Sequence, residues 1–583
     1  MMQRSPNSTR HGQRSRRRAG AAALVTLALI AAACGGDDDV ADGDTPATDE
    51  SQTDESQTDE PATADEPATA DEPATADGTA GEASADEPSG DSGPALQDGG
   101  DALMVQFGSV NTFDPSLMRV GFAFAEVAIM ASIYGHLAFM DPQTGEVIPY
   151  FLESIEPNDD FTVWSLTLHD GIKFSDGTPM NAEAIKYNIE RSADPATGSR
   201  FQAQASQLGL NVVDELTLEV TLSEPNPGWD ADLVANYSGI GSPTAIQASL
   251  DAGEDVGLDP VGAGPFMLDE WTPGQTIRVV RNPYFADWRP GLPHLDSVTF
   301  ENVPDRTQQA ASVTTGTAQI AGTIGGAASE AMLDGANAVV TQTGGGAVLN
   351  MNTAVAPFDD IRARQFMAIA FDRAILADAN APGTPVVTNV FPESSPFYDP
   401  AYDLPEQDTA KAQELLDELA AEGTPLSFTM LSVAQPDQNA LYNAMIAQLA
   451  EYDNIEMDIE VVTFTDQIGR STTGEYQLLP WGMYVIAPVP GLYYQVKPDG
   501  FLNYGKYSND VINAALEDFT TADTLEKQKA IWDIVQEQMI VDPPVVLLDQ
   551  GINTVGYADG FHVPRSVNLG TLPLWEEVGY LAE

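Results

Sequence analysis

The chain has 583 residues, 43% of them hydrophobic, and a formal net charge of −63 from 88 acidic and 25 basic side chains. A field of that sign excludes nucleic acid and anionic lipid surfaces as partners. A single cysteine, Cys34, excludes an intramolecular disulfide and a Cys-rich metal site, so the folded part must be held by its core. The acidity reads as a solvated surface adapted to salt or acid rather than as a lure for cationic cargo, because net charge governs solubility and encounter, not the contents of a buried cleft.

Residues 1–33 read as an export signal. Arg4, Arg10, Arg14, Arg16, Arg17 and Arg18 form a cationic start, and 19–33 is an apolar run too short to span a bilayer. The run ends in Ala31-Ala32-Ala33-Cys34-Gly35, which resembles a bacterial lipoprotein cleavage box with Ala31 where that pattern usually has Leu. Cys34 is therefore expected to be lipidated. Residues 34–101 hold 22 Asp and Glu and no Lys or Arg, with tandem Asp-Glu-Pro-Ala-Thr-Ala copies over 59–77. Such a segment cannot bury enough apolar surface to offset its ordering entropy and is expected to be a disordered tether.

The region 102–583 is too long for one core, so two or three lobes are expected. Alternation marks strands at Trp164, Leu166 and Leu168; at Leu216, Leu218, Val220 and Leu222; at Ile277 and Val279; and at Val298 and Phe300. Asn181 reads as an N-cap, with Ile185 and Ile189 on one helix face. Further helices are predicted over 361–376, 410–421, 508–519 and 525–539, the last with Ile531, Ile534, Val535 and Gln538 on its apolar face. Mixed strands and helices indicate an α/β architecture. The five histidines, His11, His136, His169, His294 and His562, are dispersed, and HExxH, GxSxG and Walker patterns are absent from the sequence. The chain is thus expected not to be an enzyme and to use no cofactor or metal.

Several blocks follow one another in a recognisable order: Phe113-Asp114-Pro115, Ile133-Tyr134-Gly135-His136-Leu137, Gly145-Glu146-Val147-Ile148-Pro149, residues 166–177, Gly262-Ala263-Gly264-Pro265-Phe266, Arg281-Asn282-Pro283-Tyr284, Pro357-Phe358-Asp359-Asp360-Ile361-Arg362, Tyr507-Ser508-Asn509 and Asp542-Pro543-Pro544. In content and spacing they resemble family 5 of the extracytoplasmic solute-binding proteins, which serve ABC importers for peptides and nickel. The resemblance implies a large bilobal periplasmic-binding-protein-like fold, type II and similar to dipeptide-binding proteins, with a hinged cleft. It implies a first lobe of 102–145, 263–348 and 545–583, an inserted subdomain 146–262 and a second lobe 349–544. It also implies a small-molecule substrate, an ABC permease as partner, monomeric function and a place on the outer face of the cytoplasmic membrane. Arg362 and Arg364 are read as ion-pairing within a lobe.

In peptide-binding members the resemblance places an Asp after a Trp-containing strand, where it pairs with the peptide's amino terminus. Here Trp481 matches, Tyr484 falls about where that Asp would be, and Ala487 where a second would be. A buried ammonium without a counter-charge is costly, so the cargo is expected to be non-peptide, with apolar or ring character met by Met483 and Tyr484. Peptide binding and a sensory or structural role on the same fold stand as alternatives. The opposite wall is expected from 118–124, with Gly121 allowing close approach, Phe122 and Phe124 stacking, and Arg119 receiving a carboxylate. Asn352 is a further candidate for a polar contact.

Overall fold

The computed structural model describes residues 94–582 apart from 109, 119–124, 325, 381, 434–437, 569 and 571. The signal, Cys34 and almost all of the tether lie outside the described residues, as do Arg119, Gly121, Phe122 and Phe124. Hydrogen bonding joins eleven strands into one sheet, in the order Ile455–Val462, Leu426–Val433, Leu478–Val485, Asn337–Met351, Gly551–Tyr557, Ile320–Ile324, Asp101–Gln106, Ser297–Asn302, Thr276–Arg281 and Phe266–Thr272, with Val545–Leu547 added beside Asn337–Met351.

The long strand Asn337–Met351 holds this sheet together. Its first half, from Asn337 to Thr343, pairs antiparallel with Gly551–Tyr557, and from Gly344 onward it pairs with Leu478–Val485. Three glycines occupy the handover. Gly345 and Gly346 have φ of +84° and +101°, a region that disfavours a side chain. A Cβ on Gly344 would lie 1.8 Å from the Val390 carbonyl oxygen.

A second, four-stranded antiparallel sheet runs in the order Leu152–Pro157, Val163–Leu168, Thr217–Thr221 and Gly209–Val212. Its alternation is the predicted one: Trp164, Leu166 and Leu168 are buried, as are Leu218 and Val220 opposite, while Leu216 and Leu222 are half-buried. The helix Ala182–Ala193 starts where Asn181 Oδ1 accepts the Ala184 N–H at 3.0 Å, and it buries Ile185 and Ile189.

Apolar packing divides into two main groups. One joins residues from both ends of the chain, such as Phe113, Trp164, Phe300 and Trp575, and takes in the four-stranded sheet. Its last turn is tied down by Trp575 Nε1, which donates to the Ala128 carbonyl at 2.8 Å. The other group fills the region of the second half of the long strand, in two adjoining clusters around Trp532 and Phe366.

Two helix predictions are corrected. Residues 361–376 form two helices, Ile361–Ile369 and Arg373–Asn380, not one. Asp372 breaks the run, because its Oδ1 accepts the Ala374 N–H at 2.9 Å and starts a new helix as a cap. In Leu525–Val541 the buried face is Ile531, Trp532, Val535, Gln536 and Met539, while Ile534 is 39% exposed. Burying Trp532 rotates the helix one position from the predicted stripe. Arg362 and Arg364 do pair locally: Arg362 with Asp360 and Glu422, Arg364 with Asp542 and the Phe358 carbonyl.

Candidate functional site

A cleft with about 850 Å³ free of protein atoms, partly open to solvent, lies where the two apolar groups meet. One wall is the helix Trp229–Tyr237, which contributes Val234, Ala235 and Asn236, together with Met140 and Asn568. The other is the end of the Leu478–Val485 strand and the chain just beyond it: Trp481, Met483, Tyr484, Ile486, Val489, Gln495, Phe501 and Tyr504. The described side chains that line it are uncharged; the polar groups among them are carboxamides, phenols and the Trp481 indole N–H.

Glycines let the walls approach. A Cβ on Gly145 would sit 2.7 Å from Ala487 Cβ, and one on Gly228 would sit 2.8 Å from Val489 Cγ2. The segment after the strand is therefore seated on bare backbone of the first wall. Met140 and Ala231 join the apolar cluster of the second wall. Aromatic packing stiffens the floor, with Trp481 and Tyr504 at 5.3 Å between centroids and Tyr494 and Phe501 at 4.7 Å.

Behind the lining, one carboxyl ties the walls together. Tyr494 Oη donates to Asp232 Oδ2 at 2.7 Å, and Asn226 Nδ2 donates to the same oxygen at 3.0 Å. Asp232 Oδ1 is buried with no partner among the described residues. Burial pushes the Asp232 carboxyl up to about 7, against the lowering effect of its two donors. Burial likewise pushes the Tyr484 phenol up to about 12, with the Asp549 carboxylate adding to the rise, so Tyr484 stays neutral.

Of the residues singled out in the sequence, Trp481, Met483 and Tyr484 come together in this lining. Met483 is also a member of the apolar cluster, so it serves packing as well. Asn352 is placed elsewhere. It is 1% exposed, its Nδ2 donates to the carbonyls of Gly474 and Tyr476 at 2.9 Å each, and its Oδ1 accepts the Ala354 N–H. It pins a loop and has no amide hydrogen left for cargo. Sequence reasoning missed Asn236, Gln495, Phe501, Tyr504 and Asn568. The aromatic density of 493–507 was a usable signal for two of them. Nothing local marked Asn568, which is brought to Met140 from the far end of the chain.

The model for "Bacterial extracellular solute-binding proteins, family 5 Middle" matches residues 146–501. The glutathione-binding protein GsiB of Shigella flexneri serotype 5b is 29% identical over 448 residues, spanning 72% of this chain and 84% of its own. GsiB of Escherichia coli K12 gives the same identity and coverage. Among solved structures, the oligopeptide-binding protein AppA of Bacillus subtilis, in complex with a nonapeptide, superposes with a TM-score of 0.70 at 18% identity, covering 84% of this chain and all of that one. AgaA of A. tumefacien R10, in complex with agropinic acid, gives 0.70 at 21% identity, covering 83% of this chain and 99% of that one. These structural likenesses establish the bilobal periplasmic-binding-protein fold.

Proposed function

The chain belongs to the bacterial extracellular solute-binding proteins of family 5, and from that premise we propose that its cleft takes an apolar or ring-bearing solute rather than a peptide. It is a transport receptor, not an enzyme, which captures a solute outside the cytoplasm and presents it to an ABC importer. The observation that carries the cargo reading is the chemistry of the lining. The described wall residues include no Asp, Glu, Lys, Arg or His. A peptide amino terminus entering such a site would lose its hydration without gaining a counter-charge. Trp481, Phe501 and Tyr504 offer ring faces, and Met483 offers an adaptable thioether surface.

The similarity to GsiB raises glutathione as a second reading. Glutathione carries one ammonium and two carboxylates, none of which meets an opposite charge on the described walls. In our reading Phe122 and Phe124 add further ring faces to the cleft. The receptor is further proposed to be held on the membrane by a lipid on Cys34, with 34–101 as its tether; the cleavage box and the acidic repeat support this.

Calorimetry of the purified protein with dipeptides, pentapeptides and glutathione tests the cargo reading. No heat is expected from any of them. Micromolar binding of a peptide or of glutathione would overturn it. A thermal-shift panel of neutral aromatic compounds supplies the positive arm. A true cargo at 100 times its dissociation constant adds about 2.7 kcal/mol to stability.

A further inference from the structure

Asn568 has one end engaged and the other free. It is 3% exposed and lines the cleft. Its Oδ1 accepts the Met140 N–H at 2.8 Å, and its own N–H donates to the Met140 carbonyl at 2.8 Å. Its Nδ2 is buried and has no partner among the described residues. The amide cannot be turned round to cure this, because the Met140 N–H is a donor and requires the oxygen.

Backbone geometry explains the acceptor but not the donor. The φ of Asn568 is +57°, which Asn, Asp and Gly tolerate. Asp or Asn would cap Met140 equally well, and Gly would fit the backbone. What Asn adds is an N–H pair at a buried wall, and an unmet buried donor destabilises the unliganded protein. The cost is offset if the solute brings an acceptor. With every described lining residue uncharged, an uncharged acceptor fits best.

We propose that Asn568 is a specificity-determining residue of the cleft, whose Nδ2 donates to an uncharged carbonyl-type oxygen (ketone, ester, amide or lactone) on an otherwise apolar solute. This rests on the reading of the cleft as the solute site. It assigns the cleft one polar contact whose position is fixed by the pairing with Met140. Asn236 and Gln495 are the other carboxamides of the lining, and Gln495 is already committed through Nε2 to Asn350 Oδ1 at 2.9 Å.

A pair of neutral probes tests it: 6-propionyl-2-dimethylaminonaphthalene, a ring-bearing ketone, and its analogue with CH₂ in place of the carbonyl. Binding is measured by fluorescence for the wild type, Asn568→Gly, and Asn568→Asp at pH 8.5. Glycine suits the backbone and adds no charge; Asp keeps the acceptor for Met140. The wild type is expected to prefer the ketone by about 10-fold, and both variants to lose that preference while still binding the CH₂ analogue. In the wild-type complex the infrared carbonyl stretch of the ketone should move to lower wavenumber, and it should return in the variants. If both probes bind the wild type equally, or the variants keep the preference, the role of Asn568 is overturned while the apolar-cleft reading stands. If neither probe binds the wild type, the apolar-cleft reading falls and this inference falls with it.

Discussion

Replacing Asp232 by Asn should stabilise the protein at alkaline pH and leave it unchanged in acid. The carboxyl sits behind the cleft, accepting from Tyr494 Oη and Asn226 Nδ2, with Oδ1 unpartnered among the described residues. Burial raises it from 3.8 to about 7, and Asp230 adds repulsion that the Lys497 ammonium opposes. An acid raised on folding contributes stability that is fully present below 3.8 and is lost as pH rises through about 7. At about 1.4 kcal/mol per pH unit, the loss in the wild type is on the order of 4 kcal/mol by pH 9. Asn keeps an oxygen for Tyr494 and Asn226, does not titrate, and escapes that loss. Urea unfolding of both proteins at pH 4, 6, 8 and 9 reads the difference directly. The midpoints should nearly coincide at pH 4, separate steadily between pH 4 and 7, and stay apart by a nearly constant amount at pH 8 and 9, with the variant more stable. A difference independent of pH, or a variant less stable at pH 9, would refute the assignment of Asp232 as a buried acid that is neutral below pH 7.

Gly346→Ala places a Cβ 2.3 Å from Asp549 Oδ1 at φ +101°, so it should destabilise by about 2 kcal/mol or more, seen as a lowered urea midpoint. A midpoint unchanged from the wild type would show that the handover between the two strand pairings tolerates a side chain. Arg364→Met leaves Asp542 with Asn509 Nδ2 at 3.0 Å as its nearest remaining donor; the cost should be about 3 kcal/mol, measured by the same unfolding. Cys34→Ala should release the protein into the medium, checked by blotting membrane and supernatant fractions. Retention on the membrane would rule out the lipid anchor.

The parts of the fold that depend on local rules were legible in the sequence. Asn181 caps its helix because its side chain reaches an N–H three residues on, and Trp164, Leu166 and Leu168 alternate because a strand with one buried face must. Prediction failed where a local competitor or a distant partner decides. Asp372 looks like a surface acid in a helical run, yet it captures an N–H and breaks the run. The stripe of Leu525–Val541 is set by the room that distant elements leave for Trp532. The site divides in the same way. Trp481, Met483 and Tyr484 lie on one strand and could be found by position along the chain. Asn568 meets Met140 across 428 residues of sequence separation, so no window of sequence contains the pair. Asn352 had the right residue type and the wrong surroundings: two carbonyls take both of its amide hydrogens.

The most direct test of the cargo claim is the solute the receptor carries through purification. Protein isolated without denaturation from its native cells would be washed, unfolded in organic solvent and its extract identified by mass spectrometry. The account predicts an apolar or ring-bearing molecule with an uncharged carbonyl-type oxygen, recovered in proportion to the protein and depleted in extracts of Asn568→Gly. Recovery of a peptide or of glutathione in the same proportion would contradict it.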